Sequence, residues 1–194
     1  MKKVCFIFLI SISIFSCSID PMERTIFVPD QEDYNLPAYT EWGYNTFGAE
    51  YERDYFLVSY RIVPCKISYE DNHIHFALSG NVHYEKEMTL SFTFPFALEN
   101  NDYTDLMQLH GTKIDLSDSD CVVSIWQNNT EIPLDVLEGE LYFKRTQLLS
   151  IDDQINRVIL SGFFNVRFLQ NGFPTNLSNG RFDLGITKNI FYAY

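Results

Sequence analysis

The feature that most constrains the fold is a strict alternation of apolar and polar residues within single segments of the chain. In residues 82–96, VHYEKEMTLSFTFPF, the apolar side chains are two residues apart and hydroxyl side chains lie between them: Met88, Leu90, Phe92 and Phe94 against Thr89, Ser91 and Thr93. A period of two is that of a β-strand with one buried face. No segment shows a long period of 3.6, so a mainly helical fold is not indicated.

Other segments rich in strand-forming residues are also predicted to be strands, and Gly, Asn and Asp separate them. Turns are predicted at Asp71-Asn72 and at Asn171-Gly172, whose residues tolerate positive φ. One helical turn is predicted near 103–109, within a polar loop. The chain is therefore predicted to be all-β, an antiparallel sandwich or partly closed barrel of about eight to ten strands. The predicted strands, besides 82–96, are 54–63, 65–70, 73–80, 121–128, 139–147, 157–170 and 181–186.

The N-terminus has the pattern of a secretory signal. Lys2 and Lys3 precede an apolar run of 12 residues, 4–15, which is shorter than the roughly 20 residues that span a bilayer. The Ile-Phe-Ser-Cys sequence that ends at Cys17 resembles a bacterial lipobox. This predicts cleavage of residues 1–16, acyl chains on Cys17 and, with Ser18 next to it, anchoring in the outer membrane. The alternative is an ordinary signal peptide with an incidental Cys17.

Three parts of the chain are expected: the signal peptide 1–16, a lipid-anchored tether 17–39 rich in prolines and acids, and a single β-domain 40–194. Removing residues 1–16 takes two lysines from a chain of net charge −12 and leaves −14. Because an acidic body repels phosphate backbones, nucleic acid is excluded as a partner. The expected contact is with the membrane, through the acyl chains on Cys17.

Three motifs carry a resemblance to a known family: NTFGA at 45–49, LSGFFNVRF at 160–168 and LSNGRFDLGI at 177–186. The chain resembles a family of small, uncharacterised Bacteroidetes lipoproteins that have an NTFG motif after the tether and end on GRFD strands. The resemblance supplies no activity. We interpret these motifs as features that specify the fold, together with the aromatic stretch TEWGYNTFGAEYERDYF (40–56) around the first of them. Asn45 is expected to satisfy backbone groups where a strand begins, and Gly48 and Gly180 are expected at positive φ or in bulges. Arg181 and Asp183 are expected on the outward face of a strand.

Few residues have the pattern of a metal or catalytic site. His73, His75 and His83 are the most metal-like set, but no fourth ligand follows from their spacing, and a solvated strand face is the favoured interpretation. The acids in DLSDSDC (115–121) lack the Gly and Glu of a calcium loop and are interpreted as a solvated loop. No metal ion, cofactor or catalytic residue is predicted.

Two cysteines remain in the predicted body, Cys65 and Cys121. An envelope location permits a disulfide between them. Each also lies in a strand-like run, where a buried free thiol is the alternative.

The sequence therefore predicts an outer-membrane lipoprotein that is a non-enzymatic binding domain or an accessory of an envelope complex. Its ligand is expected to be a glycan or an envelope protein, because exposed Tyr or Trp on a sheet face can stack on sugar rings. The alternatives are a small envelope glycan hydrolase that uses unmarked carboxylates and an integral outer-membrane β-barrel.

Overall fold

The computed structural model describes residues 24–60, 63–83, 86–128, 130–152 and 154–194. The predicted signal peptide and Cys17 lie outside these residues. The described elements are twelve strands and two 3₁₀ helices, Tyr103–Leu109 and Lys188–Ile190. The strands are β1 Thr46–Tyr51, β2 Asp54–Val58, β3 Cys65–Glu70, β4 His73–Val82, β5 Lys86–Pro95, β6 Thr112–Asp115, β7 Val122–Gln127, β8 Thr130–Pro133, β9 Asp135–Ile151, β10 Gln154–Gln170, β11 Phe173–Ile186 and β12 Phe191–Ala193.

All twelve strands belong to one sheet, in the order β6-β9-β10-β11-β1-β2-β4-β5-β7-β8, with β3 between β4 and β12. Every described pair is antiparallel except β3 with β12. The end strands β6 and β8 are not paired with each other, so the sheet is open. The all-β prediction is confirmed, and the strands beyond the expected eight to ten are short ones such as β6, β8 and β12.

The sheet folds back on itself as a sandwich with an aromatic core. Phe76 of β4 lies 5.3 Å from Phe182 of β11 and 5.6 Å from Phe143 of β9, measured between ring centroids. Phe92 of β5 lies 5.6 Å from Phe164 of β10 in the same way. One layer therefore contains β3, β4, β5, β7 and β8, here called the front layer. The back layer contains β1, β6, β9, β10 and β11, and β2 links the two.

The predicted turns and the predicted helical turn are present where the sequence indicated them. Asp71 and Asn72 have φ of 50° and 60°, and Asn171 and Gly172 have φ of 53° and 81°. Both pairs therefore occupy the left-handed region that tight hairpins require. The 3₁₀ helix over 103–109 begins after Asp102, whose side chain accepts a hydrogen bond from the Thr104 amide.

The outer face of the back layer is covered by the N-terminal segment 24–45. Within this segment the Leu36 side chain is fully buried, and Asp30 forms a 2.7 Å ion pair with Arg181 of β11. Part of the stretch that the sequence assigns to the tether thus packs against the sheet. None of the helices in the described part of the chain has the length and apolar character needed to cross a bilayer.

Candidate binding face

The outer face of the front layer carries a polar trough, which we define by the aligned residues of β3, β4, β5 and β7. Its floor is a row of small side chains, because Ala77 of β4 pairs with Ser91 of β5, and Ser91 pairs with Ser124 of β7. Lys66 of β3 stands opposite Ala77 at one end of the row. Four strands are separated by three spacings of about 4.8 Å, so the row is about 14 Å long.

Hydroxyl and imidazole side chains flank the floor row on both sides and form the two walls of the trough. On one side, the His75 Nδ1 lies 2.8 Å from the Thr93 Oγ1. On the other, the Ser79 Oγ lies 2.8 Å from the Thr89 Oγ1. These pairs lie directly opposite each other in the β4–β5 register. The trough is open to solvent and has a volume of about 750 Å³, in the range of small-ligand sites.

An exposed tryptophan and a carboxylate occupy the β7 side of the trough. Trp126 is opposite Thr89 on one side and Glu131 of β8 on the other. Its side chain is 44% exposed, which leaves aromatic surface available to a ligand. The Ser124 hydroxyl, in a residue that is only 3% exposed, donates a 2.8 Å hydrogen bond to Glu131 Oε1. This bond holds the Glu131 carboxylate in the trough lining, at the position that pairs with Trp126 in the β7–β8 register.

The charge of the trough is weakly acidic. Its described lining includes one lysine, Lys66, and three glutamates, Glu70, Glu87 and Glu131. The remaining polar lining consists of hydroxyl, imidazole and amide groups. In a chain of net charge −12 this arrangement disfavours anionic ligands.

The trough therefore combines three kinds of contact in one concave surface. Each hydroxyl offers one donor and two acceptor lone pairs, so the wall pairs retain hydrogen-bonding capacity beyond the bond that they share. The Trp126 ring offers a flat π face with negative charge density, against which the polarised C–H groups of a ligand can stack. A small ligand that alternates hydroxyl groups with C–H faces matches both.

The NTFG and GRFD motifs meet in the back layer and have a structural role. The buried carboxylate of Asp183 accepts hydrogen bonds from the amides of residues 42–44 and from the hydroxyls of Thr40 and Ser161. The Asn45 side chain accepts a 2.9 Å bond from the Gly185 amide. These bonds agree with a structural role for both motifs. Asp183 lies on the face that alternation indicates as outward, but it is only 1% exposed because residues 40–44 cover that face.

The two glycines of these motifs are required by close approach. A Cβ on Gly48 would lie 2.4 Å from Pro37 Cδ, and one on Gly180 would lie 2.4 Å from the Phe164 carbonyl oxygen. Both adjoin irregularities in the strand register, as predicted. The positive φ values belong instead to their neighbours Asn45 and Asn179, at 53° and 51°.

The three histidines do not converge. His73 and His75 lie in the first half of β4, and His83 follows its last residue. Their rings bond three different groups: the Asp71 carbonyl, the Thr93 hydroxyl and the Asp54 carboxylate. Within the described ranges, no set of three or more His, Cys, Asp or Glu side chains is arranged to hold a metal ion.

Cys65 and Cys121 are free thiols in the structure. Cys65 begins β3 and Cys121 immediately precedes β7, and β4 and β5 lie between those strands. Three strand spacings place them roughly 14 Å apart across the sheet, whereas a disulfide needs Cα atoms within about 7 Å. Burial raises the pKa of the Cys65 thiol, so this side chain behaves as a core residue.

The acidic loop at 115–121 is held by its own side chains. Asp115 Oδ1 accepts bonds from the Ser117 hydroxyl at 2.6 Å and from the Ser117 amide at 2.9 Å, and these bonds lower the pKa of Asp115. Asp118 Oδ1 accepts a bond from the Asp120 amide at 3.3 Å. The carboxylates thus close local turns.

No protein-family model, curated protein or solved structure matches this chain. The resemblance to Bacteroidetes lipoproteins stays a prediction. The structure defines the protein as an all-β sandwich with a polar trough on the outer face of its front layer.

Proposed function

We propose that this protein is an outer-membrane lipoprotein, anchored through Cys17, whose β-sandwich binds a neutral oligosaccharide in the polar trough without catalysing a reaction on it. The observation that carries the ligand class is the position of Trp126 beside hydroxyl pairs and Glu131 on one concave sheet face. The anchor rests on the lipobox at residues 14–17, which is outside the described residues.

A neutral glycan fits the chemistry of the trough better than other small ligands. The equatorial C–H groups of a pyranose ring give it an apolar face that stacks on indole, and its hydroxyls both donate and accept hydrogen bonds. The length of the floor row and the open ends of the trough suit a chain of sugars. The excess of glutamate over lysine in the lining disfavours sulfated or uronate-rich polymers.

The test is a thermal-shift screen of the mature protein against neutral gluco-, manno- and xylo-oligosaccharides. A ligand present at 100 times its dissociation constant stabilises a protein by about 2.7 kcal/mol. For a chain of this length that raises Tm by roughly 5–10 °C. The expected result is a shift for at least one neutral oligosaccharide, with no release of reducing ends on prolonged incubation.

Two tryptophan variants make the screen specific. Trp126→Ala removes the stacking surface and is expected to abolish the shift, at little cost to the unliganded Tm because the side chain is 44% exposed. Trp42→Ala is the matched control, since Trp42 is 71% exposed on the other layer's outer face and should leave the shift unchanged. An equal loss in both variants, or no shift across the neutral panel, would contradict the proposal. Release of reducing ends would instead identify a hydrolase.

A further inference from the structure

A second cavity, here called the side cavity, lies beside β3 where the two layers meet. Pro64, Lys66 and Ser79 contribute to its wall from the front layer, and Gly185 near the end of β11 contributes from the back layer. Its volume is about 810 Å³, within the range of about 300–1,000 Å³ that is usual for small-ligand sites. The side cavity adjoins the trough, because Lys66 and Ser79 line both.

The side cavity has a buried apolar end and an exposed aromatic rim. Cys65 and Leu184 line it although they are only 2% and 0% exposed, so they lie at its deep end. Tyr60, Val63 and Tyr192 line it and are exposed, so they belong to the rim. Large apolar side chains left exposed around a concavity are typical of a surface that a ligand covers.

Hydrogen bonds hold the wall and the rim in place. The Ser79 amide donates to the Pro64 carbonyl at 2.9 Å. The Tyr192 hydroxyl donates to the Asn189 carbonyl at 3.0 Å. The side cavity is therefore formed by the folded chain itself, and a ligand that enters it meets groups that are already ordered, which lowers the entropic cost of binding.

The charge of the side cavity is opposite to that of the chain. Its described lining contains two cations, Arg24 and Lys66, and no Asp or Glu. Neither cation forms an ion pair with a carboxylate of the described residues. The Lys66 Nζ instead lies 4.8 Å from the centroid of the Tyr192 ring. Because the chain as a whole has a net charge of −12, this pair of cations is a local exception that favours an anionic group.

We propose that the side cavity binds a small amphipathic anion, whose apolar body lies against Cys65 and Leu184 and whose anionic head lies at the rim beside Arg24 and Lys66. Both cations are exposed, so the head stays partly hydrated while the apolar body is removed from water. This is a second site, distinct from the proposed glycan site, and it does not depend on what the trough binds.

The test is isothermal titration calorimetry at neutral pH with decanoate and decyl phosphate, each below its micellar concentration. The protein is the full chain with Cys17→Ala, so that neither the predicted acyl chains nor a detergent competes for the cavity. Saturable binding of at least one probe is expected, and the stronger one identifies the head group. Its octyl homologue should bind about 15-fold more weakly, since each buried methylene changes affinity about fourfold. Absence of binding by both probes overturns the proposal, as does equally tight binding of uncharged decanol.

Removal of the two cations tests the position of the head group. Each exposed ion pair contributes up to about fivefold in affinity, so Arg24→Gln combined with Lys66→Gln is expected to weaken the anion by about 3- to 20-fold. The matched control is Lys144→Gln, because the exposed Lys144 also places its Nζ over an aromatic ring, 4.4 Å from the centroid of Tyr39. The control should keep wild-type affinity. Wild-type affinity in the double variant overturns the proposal.

A second pair of variants separates the side cavity from the trough. Tyr192 lines the side cavity, whereas Trp126 lines the trough, and neither is part of the other lining as described. Tyr192→Ala is expected to weaken binding of the anion, and Trp126→Ala to leave it unchanged. The reverse pattern places the anion in the trough and overturns the proposal. A trough that binds no oligosaccharide would contradict the proposed glycan site alone, because the calorimetric result for the anion does not depend on it.

Discussion

Replacing Asp183 by Asn should destabilise the protein more than any other Asp→Asn or Glu→Gln substitution in the β-domain. The carboxylate is 1% exposed, with two donors on Oδ1 and three on Oδ2. Whichever oxygen becomes the amide nitrogen, at least one backbone N–H of residues 42–44 then faces a donor. The acceptor that is lost is an oxygen of a charged carboxylate. Hydrogen bonds to a charged acceptor are stronger than those to a neutral one.

The magnitude follows from the bonds that are lost. A buried donor left without an acceptor costs about 1–3 kcal/mol, and the remaining bonds weaken when the acceptor loses its charge. We therefore expect Asp183→Asn to lower the free energy of unfolding by about 2–4 kcal/mol. For a domain of 150–250 residues this lowers Tm by roughly 5–15 °C.

The assay is urea denaturation followed by circular dichroism, with hydrogen exchange of the amides of residues 42–44 as a local readout. Asp152→Asn is the control, because Asp152 is exposed in the β9–β10 turn and the same chemical change should stay within about 0.5 kcal/mol of wild type. Wild-type stability of Asp183→Asn, with unchanged exchange at 42–44, would refute the reasoning that this carboxylate organises the segment.

Two further predictions concern the proposed lipid anchor and the stability of the protein at acidic pH. Cys17→Ala should move the protein from the membrane fraction to the soluble fraction after cell lysis, because the acyl chains have no attachment; retention in membranes would count against the lipobox. Asp105 is buried, which opposes ionisation, but bonds from Asn100 and from nearby amides hold its pKa below the usual 3.8. Its stabilising contribution is thus complete above pH 3.8 and is lost as pH falls through the lower folded pKa. The stability gap between wild type and Asp105→Asn should shrink over that range in denaturation series run at successive pH values, and a gap independent of pH would contradict this assignment.

Local patterns were sufficient to predict much of the fold. The turn at Asp71-Asn72 and the alternation from Met88 to Phe94 each lie within a few residues, so the sequence displays them directly. The 3₁₀ helix over 103–109 lies where one helical turn was predicted within a polar loop. Such features depend on backbone preferences and on the period of a strand, which act locally.

Features that depend on distant pairing could not be predicted. Alternation places Asp183 on the outward face of β11, but only the fold shows that residues 42–44, 139 to 141 positions earlier, cover that face. The short strands β6 and β8 are recognisable only from their pairing with β9 and β7.

The trough has a partial signal in the sequence. Thr89, Ser91 and Thr93 alternate on one strand face, which alone indicates no more than a solvated side. The register that sets Trp126 opposite Thr89 requires β5 to pair with β7 across the intervening residues 96–121. No local pattern encodes that pairing, so the approach of an aromatic residue to a hydroxyl face emerges only in the folded chain.

The central claim, that the trough binds a neutral oligosaccharide, is tested most directly by fluorescence titration of the Trp42→Phe protein. Trp126 is then the sole tryptophan and lies in the proposed site. The account predicts a saturable change in its emission with at least one neutral gluco-, manno- or xylo-oligosaccharide, and none with sulfated analogues. Emission that is unchanged by every neutral oligosaccharide at millimolar concentration would contradict it.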